Sequence, residues 1–160
     1  VSALDVSIQA QILNLLQDLQ ESNGLTYMFI THNMSVVRHI SHNISVMYLG
    51  QLVETSPTKE LFAEPLHPYT KGLMAAVARL DDDKKEFVQI PGHLPDPADK
   101  PAGCYFHPRW KASEVVPSLS VRVAPRCPYA ATACRKAMPL LTQNEQGRKV
   151  RCYEAGKFKE

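Results

Sequence analysis

The sequence has no long apolar run, no strong excess of either charge, no proline before Pro57 and no cysteine before Cys104. A membrane-spanning helix needs about 20 consecutive apolar residues, so no stretch of this sequence is a candidate. The 18 basic and 16 acidic residues leave a net charge of +2, and we therefore expect no nucleic-acid partner. The late onset of proline and cysteine predicts dense regular structure first and an irregular, Cys/Pro-rich region after it.

The first part of the chain alternates helical and strand patterns. Apolar residues at helical spacing predict a helix over 6–22, with Asp5 as its N-cap and Gly24 as its stop. The run LTYMFIT, 25–31, is short, nearly continuously apolar and rich in β-formers, which predicts a buried parallel strand.

Four more elements follow. Asn33 can cap a helix that begins at Met34, and two strands over 44–50 and 51–55 meet at Gly50, as in a hairpin. Next come a short helix with Ser56 as N-cap and Pro57 as its first residue, and a helix over 69–80. The order of these elements predicts a layered α/β domain with a largely parallel sheet.

His32 directly follows the predicted buried strand. Ligands of open α/β sheets bind beyond the carboxyl ends of the strands, and a neutral imidazole there can donate to a phosphate oxygen or hold an attacking water. The alternative is a histidine that only caps the next helix or satisfies loop backbone groups. Position alone leaves both interpretations open.

Longer segments resemble a known family. VSALDVSIQAQILNLLQDLQ, YMFITHNMSVVRHIS and VMYLGQLVE, in this order, closely resemble ATP-binding subunits of ABC transporters. HPYTKGLMAAV at 67–77, IPGHLPDP at 90–97 and GCYFHPR at 103–109 resemble the C-terminal extension of the oligopeptide/dipeptide importer branch. The resemblance implies a P-loop (RecA-like) nucleotide-binding domain, with its C-terminal half in residues 1–80 and the extension in residues 81–160.

The resemblance also implies roles for particular residues. His32 resembles the switch-loop histidine, which contacts the γ-phosphate and helps to arrange the attacking water. The family usually has Asp after this histidine, whereas this sequence has Asn33, which still caps a helix but removes a charge. The opening segment resembles the D-loop, which crosses the dimer interface and couples two ATP sites: Ser2, Ala3, Leu4 and Asp5.

Three motifs of that family are missing. The sequence contains no G-x-x-x-x-G-K-[ST] phosphate loop and no LSGGQ-type signature loop, and the strand with the Mg²⁺-binding carboxylates would precede Val1. We therefore expect a C-terminal fragment that neither binds ATP tightly nor hydrolyses it alone.

For the intact protein, the resemblance implies ATP and Mg²⁺ as cofactors and a location at the cytoplasmic face of the bacterial inner membrane. Its implied partners are a second, homologous ATPase subunit (forming a heterodimer), transmembrane permease subunits and, indirectly, a peptide-binding protein.

No C-x-x-C pair occurs among the four cysteines, which gives little support to a zinc ribbon. They are Cys104, Cys127, Cys134 and Cys152. A proline-rich module with few apolar runs nevertheless needs a staple to hold it together. The peptide-importer branch resembles this chain in its four C-terminal cysteines, and this implies a possible [4Fe–4S] cluster. Four independent thiols are the alternative.

Residues 110–126 resemble an insertion between the first two cysteines of that pattern. If the insertion loops out, Cys104 and Cys127 can still converge. Two rivals to the ATPase interpretation remain: a non-catalytic regulatory or redox module built around the cysteines, and a truncated remnant without activity.

Overall fold

A computed structural model describes residues 6–76, 95–107, 127 and 129–155. They form two compact units, one up to His42 and one from Asn43 onward. Within these described ranges, no helix is both long enough and apolar enough to cross a bilayer. The predicted division between residues 80 and 81 stays a prediction.

The first unit begins with helix α1, Val6–Asn23, as the apolar spacing predicts. The helix ends at Gly24, whose φ of +64° is the left-handed conformation that terminates helices. The amide of Leu25 closes this turn by donating to the carbonyl of Gln20 at 3.2 Å. The predicted cap, Asp5, lies outside the described residues.

The predicted buried strand over 25–31 is wrong for this structure, because these residues form neither strand nor helix. Met28 is 88% exposed and Ile30 is 93% exposed. A strand needs a neighbour to satisfy its amides and carbonyls, and residues 6–42 contain no other strand. The apolar pattern is present, but no described residue of this unit provides a pairing partner.

Helix α2, Met34–Ile40, confirms the predicted cap at Asn33. The side-chain oxygen of Asn33 accepts from the amides of Ser35 at 3.1 Å and Val36 at 3.3 Å. Two of the amide groups that a helix start leaves without partners are thereby satisfied.

The second unit opens with the predicted hairpin of β1, Asn43–Tyr48, and β2, Gln51–Pro57. Leu49 and Gly50 have φ values of 46° and 78°, as in the two-residue turns that match the twist of the flanking strands. The α/β class is confirmed, but the described pairings are all antiparallel, so the predicted largely parallel sheet is wrong for them. A two-residue connection can join only antiparallel strands.

Two helices follow the hairpin. Helix α3, Thr58–Ala63, begins after Pro57, whereas Ser56 stays in β2 with its side chain buried; the predicted Ser56 cap is therefore wrong. Helix α4, Pro68–Ala76, confirms the next predicted helix, whose last residues, 77–80, lie outside the described ranges.

Residues 127–155 contribute helix α5, Thr132–Lys136, and the short strands β3, Thr142–Gln143, and β4, Lys149–Val150. Strand β4 pairs with β2, and the order of the described strands is β1-β2-β4-β3. Strand β2 therefore joins residues that are remote in sequence into one sheet.

Candidate functional site

His32 lies in the loop between α1 and α2, and its side chain is exposed. The residues on either side of it fix the loop. Thr31 accepts the amide of Asn33 on its hydroxyl at 3.1 Å, and Asn33 caps α2. The loop therefore presents the imidazole to solvent on a backbone that is restrained on both sides. The predicted D-loop residues, Ser2 to Asp5, lie outside the described ranges.

The four cysteines come from separate segments of the second unit. Cys104 lies in the loop before residue 107, Cys134 lies on α5 and Cys152 follows β4; Cys127 precedes α5. All four are free thiols; Cys127 and Cys134 are buried, and the other two are half-buried.

Burial, with a contribution from nearby charge, raises the pKa of three of the four thiols. Burial raises the pKa of Cys152 to about 12, and charge on each of the other three thiols raises this pKa further. Burial likewise raises the pKa of Cys127 to about 11, with contributions from charge on Cys104 and Cys134. Burial is also the main cause of the raised pKa of Cys104, to which charge on Cys134 adds. These contributions favour a common location for the four thiols, and the predicted site stays a prediction.

Backbone amides oppose this effect at three of the sulfurs. The amides of Phe106, Tyr129 and Glu154 each interact with the cysteine two residues before them and lower its pKa. The amide of His107 acts on Cys104 in the same way. Hydrogen bonds from amides to sulfur stabilise thiolates and tune iron–sulfur centres.

The predicted cluster site is not assembled as a metal-binding group. Among the described residues, no three His, Cys, Asp or Glu side chains are arranged to hold a metal ion. Four thiols with backbone amides near three of them are the donor type that a [4Fe–4S] cluster uses, with its four ligands bound to four different irons. The cluster therefore stays a prediction.

A buried ion pair that the sequence did not reveal supports this unit. Glu54 is 0% exposed and Arg148 is 2% exposed, and the guanidinium donates to the carboxylate at 3.1 Å. The carboxylate also accepts the amides of Leu66 and His67, each at 2.9 Å. Arg148 donates to the carbonyl of Glu64 as well. The pair therefore ties β2, the start of α4 and the C-terminal hairpin together.

His67 lies at the start of α4 and is 1% exposed. Burial lowers its pKa to about 4, so the ring is neutral near pH 7. Its Nδ1 accepts the amide of Tyr69 at 3.1 Å, which fixes the turn that leads into the helix. This geometry is structural, and it leaves His67 no access to a ligand.

Comparisons with known proteins agree with this architecture. A family model described as "Oligopeptide/dipeptide transporter, C-terminal region" matches residues 53–114, the range that contains most of β2, all of α3 and α4, and Cys104. The chain is 46% identical over 155 residues to a probable peptide ABC transporter ATP-binding protein of Sinorhizobium fredii, covering 96% of the chain and 39% of that relative. The chain is therefore similar, over nearly its whole length, to peptide ABC transporter ATP-binding proteins.

Two other peptide transport ATP-binding proteins also match the chain. The dipeptide transport ATP-binding protein of Haemophilus influenzae is 43% identical over 155 residues, covering 96% of the chain and 42% of that relative. The dipeptide transport ATP-binding protein of Escherichia coli is 50% identical over 110 residues, covering 68% of the chain and 33% of that relative. The chain therefore spans less than half the length of these peptide ABC transporter ATP-binding proteins.

Proposed function

We propose that the intact protein is the ATP-binding and ATP-hydrolysing subunit of an ABC importer for oligopeptides or dipeptides. The observation that carries this proposal is the similarity of 96% of the chain to peptide ABC transporter ATP-binding proteins. ATP and Mg²⁺ would bind mainly through residues outside the chain, since the sequence lacks the phosphate loop. In this proposal the 160 residues are inactive alone and contribute one part of a P-loop domain.

In the intact protein, His32 would position the reacting groups. Phosphoryl transfer depends on positioning and electrostatic stabilisation more than on covalent chemistry. An exposed imidazole on a restrained loop suits this role, because it is a directional donor that can reach a phosphate oxygen. Ser2, Ala3, Leu4 and Asp5 would form the D-loop at the interface with a second ATPase subunit.

The proposed partners follow from the same similarity. A homologous ATPase subunit would complete the two ATP sites, and transmembrane permease subunits would use the resulting closure and opening. A peptide-binding protein would deliver the substrate from outside. The subunit would then be peripheral at the cytoplasmic face of the bacterial inner membrane.

The test uses the intact protein, with its upstream residues, assembled with its partners. We expect His32→Ala to reduce ATP turnover by about 100-fold or more while ATP binding changes little, because removal of one transition-state donor costs about 10²–10³ in rate. His39→Ala is the matched control, since His39 is an exposed histidine on α2 only seven positions further along. Equal turnover in the His32 and His39 variants would refute the assigned role.

A second function is favoured by the mutual coupling of the four thiols. Cys104, Cys127, Cys134 and Cys152 would hold a [4Fe–4S] cluster, which when bound would cross-link four chain positions and exchange single electrons. The amides of Phe106, Tyr129 and Glu154 would stabilise the negative charge on the sulfurs. Burial raises the pKa of Cys104, Cys127 and Cys152, and metal binding requires thiolates, so loading would release protons to solvent.

Iron and acid-labile sulfide in anaerobically purified protein test this second function. We expect about four irons and four sulfides per chain, with visible absorption that Cys134→Ser abolishes. Cys127 and Cys134 are buried and their thiols would be inaccessible in the loaded form. Protein without iron and sulfide after anaerobic reconstitution would favour four independent thiols.

A further inference from the structure

We propose that Gly103 is a positioning residue for the four-cysteine site, because only a residue without a side chain lets the Cys104 loop lie directly on the backbone of α5. This inference rests on the proposed cysteine site and names what holds two of its four members together. Gly103 itself touches no metal and supplies no ligand.

The contact is one of backbone against backbone. Gly103 has a φ of +75°, and a methyl group in place of its hydrogen would overlap the carbonyl oxygen of Cys134. The same methyl would lie 2.9 Å from the carbonyl carbon of Arg135 and 3.1 Å from its oxygen. The end of a flexible side chain can rotate away from such a clash, but a helical carbonyl cannot move without disturbing its helix.

The same carbonyl also binds the cysteine next to Gly103. The amide of Cys104 donates to the carbonyl of Cys134 at 2.8 Å. A loop pushed away from α5 by a side chain at position 103 would lose this hydrogen bond. The two cysteines would then separate, because their backbones are joined at this point.

The far side of Cys104 is also fixed. Its carbonyl accepts the amide of His107 at 3.1 Å and lies 2.6 Å from Nδ1 of the same residue. His107 is 9% exposed, and its neighbour Phe106 is 2% exposed, with its ring against Tyr48. These contacts restrain the backbone after Cys104. A displacement at Gly103 is therefore expected to move the Cys104 sulfur.

Gly50 is the matched control. Its φ of +78° is nearly that of Gly103, but an added methyl would meet nothing within 4 Å. Alanine at either position meets the same cost of a left-handed backbone. Only at position 103 does it also meet the backbone of α5, so the difference between the two variants isolates the close contact.

The experiment compares the 160-residue chain with its Gly103→Ala and Gly50→Ala variants. Iron and sulfide are measured after anaerobic reconstitution with ferrous iron and sulfide. In the reduced, metal-free chain, iodoacetamide labelling of each cysteine is followed by mass spectrometry, together with amide exchange in the β1–β2 hairpin. We expect iodoacetamide to label Cys104 and Cys134 about tenfold faster in Gly103→Ala than in the wild type. We also expect this variant to retain little iron. Gly50→Ala should stay near wild type on both readouts.

Each outcome decides one question. Equal labelling rates in the Gly103→Ala and Gly50→Ala variants would overturn the positioning role. The role would also be overturned if Gly103→Ala accelerated amide exchange at Val46 and Val53 by the same factor as cysteine labelling, because the effect would then be global unfolding. If wild type binds no iron, the proposed cluster fails, while the labelling comparison still decides the role of Gly103.

Discussion

Loss of the Arg148 guanidinium should destabilise the second unit more than any ordinary surface substitution. In Arg148→Met the aliphatic bulk is kept, but the Glu54 carboxylate remains buried at 0% exposure and loses its cation, while it still accepts the amides of Leu66 and His67. One charge-assisted hydrogen bond contributes about 1.5–3 kcal/mol, and an uncompensated buried charge raises the total cost of a broken buried pair to about 3–5 kcal/mol.

The assay is urea unfolding followed by far-UV circular dichroism. A loss of about 3–5 kcal/mol moves the midpoint by more than about 1 M, since slopes are about 1–3 kcal/mol per molar for small proteins. In the double variant Glu54→Gln/Arg148→Met the buried charge is gone. The amides of Leu66 and His67 bind different oxygens of Glu54, so one of them keeps an oxygen acceptor. We expect the free energy of unfolding to fall by about 0.5–3 kcal/mol less in the double variant than the losses of the two single variants add up to.

Arg135→Met is the control, because Arg135 is an exposed arginine on α5. Its effect should stay within about 0.5 kcal/mol. If Arg148→Met costs no more than this control, the carboxylate of Glu54 is hydrated in solution and the account of a dry, buried pair is refuted.

Three further predictions concern other parts of the chain. Asn33→Ala should speed amide exchange at the start of α2 about fivefold, the equivalent of the ~1 kcal/mol that a lost N-cap costs, while Asn33→Asp, which keeps a cap, should not. Because burial lowers the pKa of His67 to about 4, stability should be complete above pH 6.5 and fall by up to about 3 kcal/mol as the pH drops from 6.5 to 4. His67→Gln should remove that part of the urea-midpoint pH dependence, and an unchanged dependence would contradict the assignment. Leu61→Ala, at a side chain that is 0% exposed, should cost about 2–5 kcal/mol by urea unfolding, whereas Met47→Ala, at 57% exposure, should cost under about 1 kcal/mol.

Local signals in the sequence predicted the local elements well. The spacing of apolar residues predicted α1, Gly24 its end and Asn33 the start of α2, because caps and helical periods depend on neighbouring residues. Gly50 predicted the hairpin for the same reason, since the turn needs left-handed backbone at fixed positions.

Features that depend on distant residues were not predictable in this way. The run 25–31 has the composition of a buried strand, but composition cannot supply the neighbour that a strand pairs with. Nothing about Glu54 in the sequence indicates that it is buried against Arg148, because no local pattern connects a residue on β2 with one just before β4, 94 positions later.

The candidate sites also differ in how far the sequence could predict them. The four cysteines were identified as a set through family resemblance, whereas the close contact of Gly103 with the backbone of α5 is visible only in the folded chain. The roles of His32 and of Ser2 to Asp5 remain proposals that the intact protein can test.

The Glu54–Arg148 pair also affects the order in which this chain can mature on the ribosome. The two residues are 94 positions apart, so at about 5–20 residues per second the carboxylate is synthesised roughly 5–20 s before its cation. During that interval the nascent β1–β2 hairpin carries the Glu54 carboxylate on the face that it must later bury. Until Arg148 is synthesised, this carboxylate has to stay hydrated. The hairpin can form early, but its desolvation has to wait for translation of the residues around Arg148. A nascent chain that stalls in between is therefore an incompletely sealed intermediate that chaperones and proteases can engage.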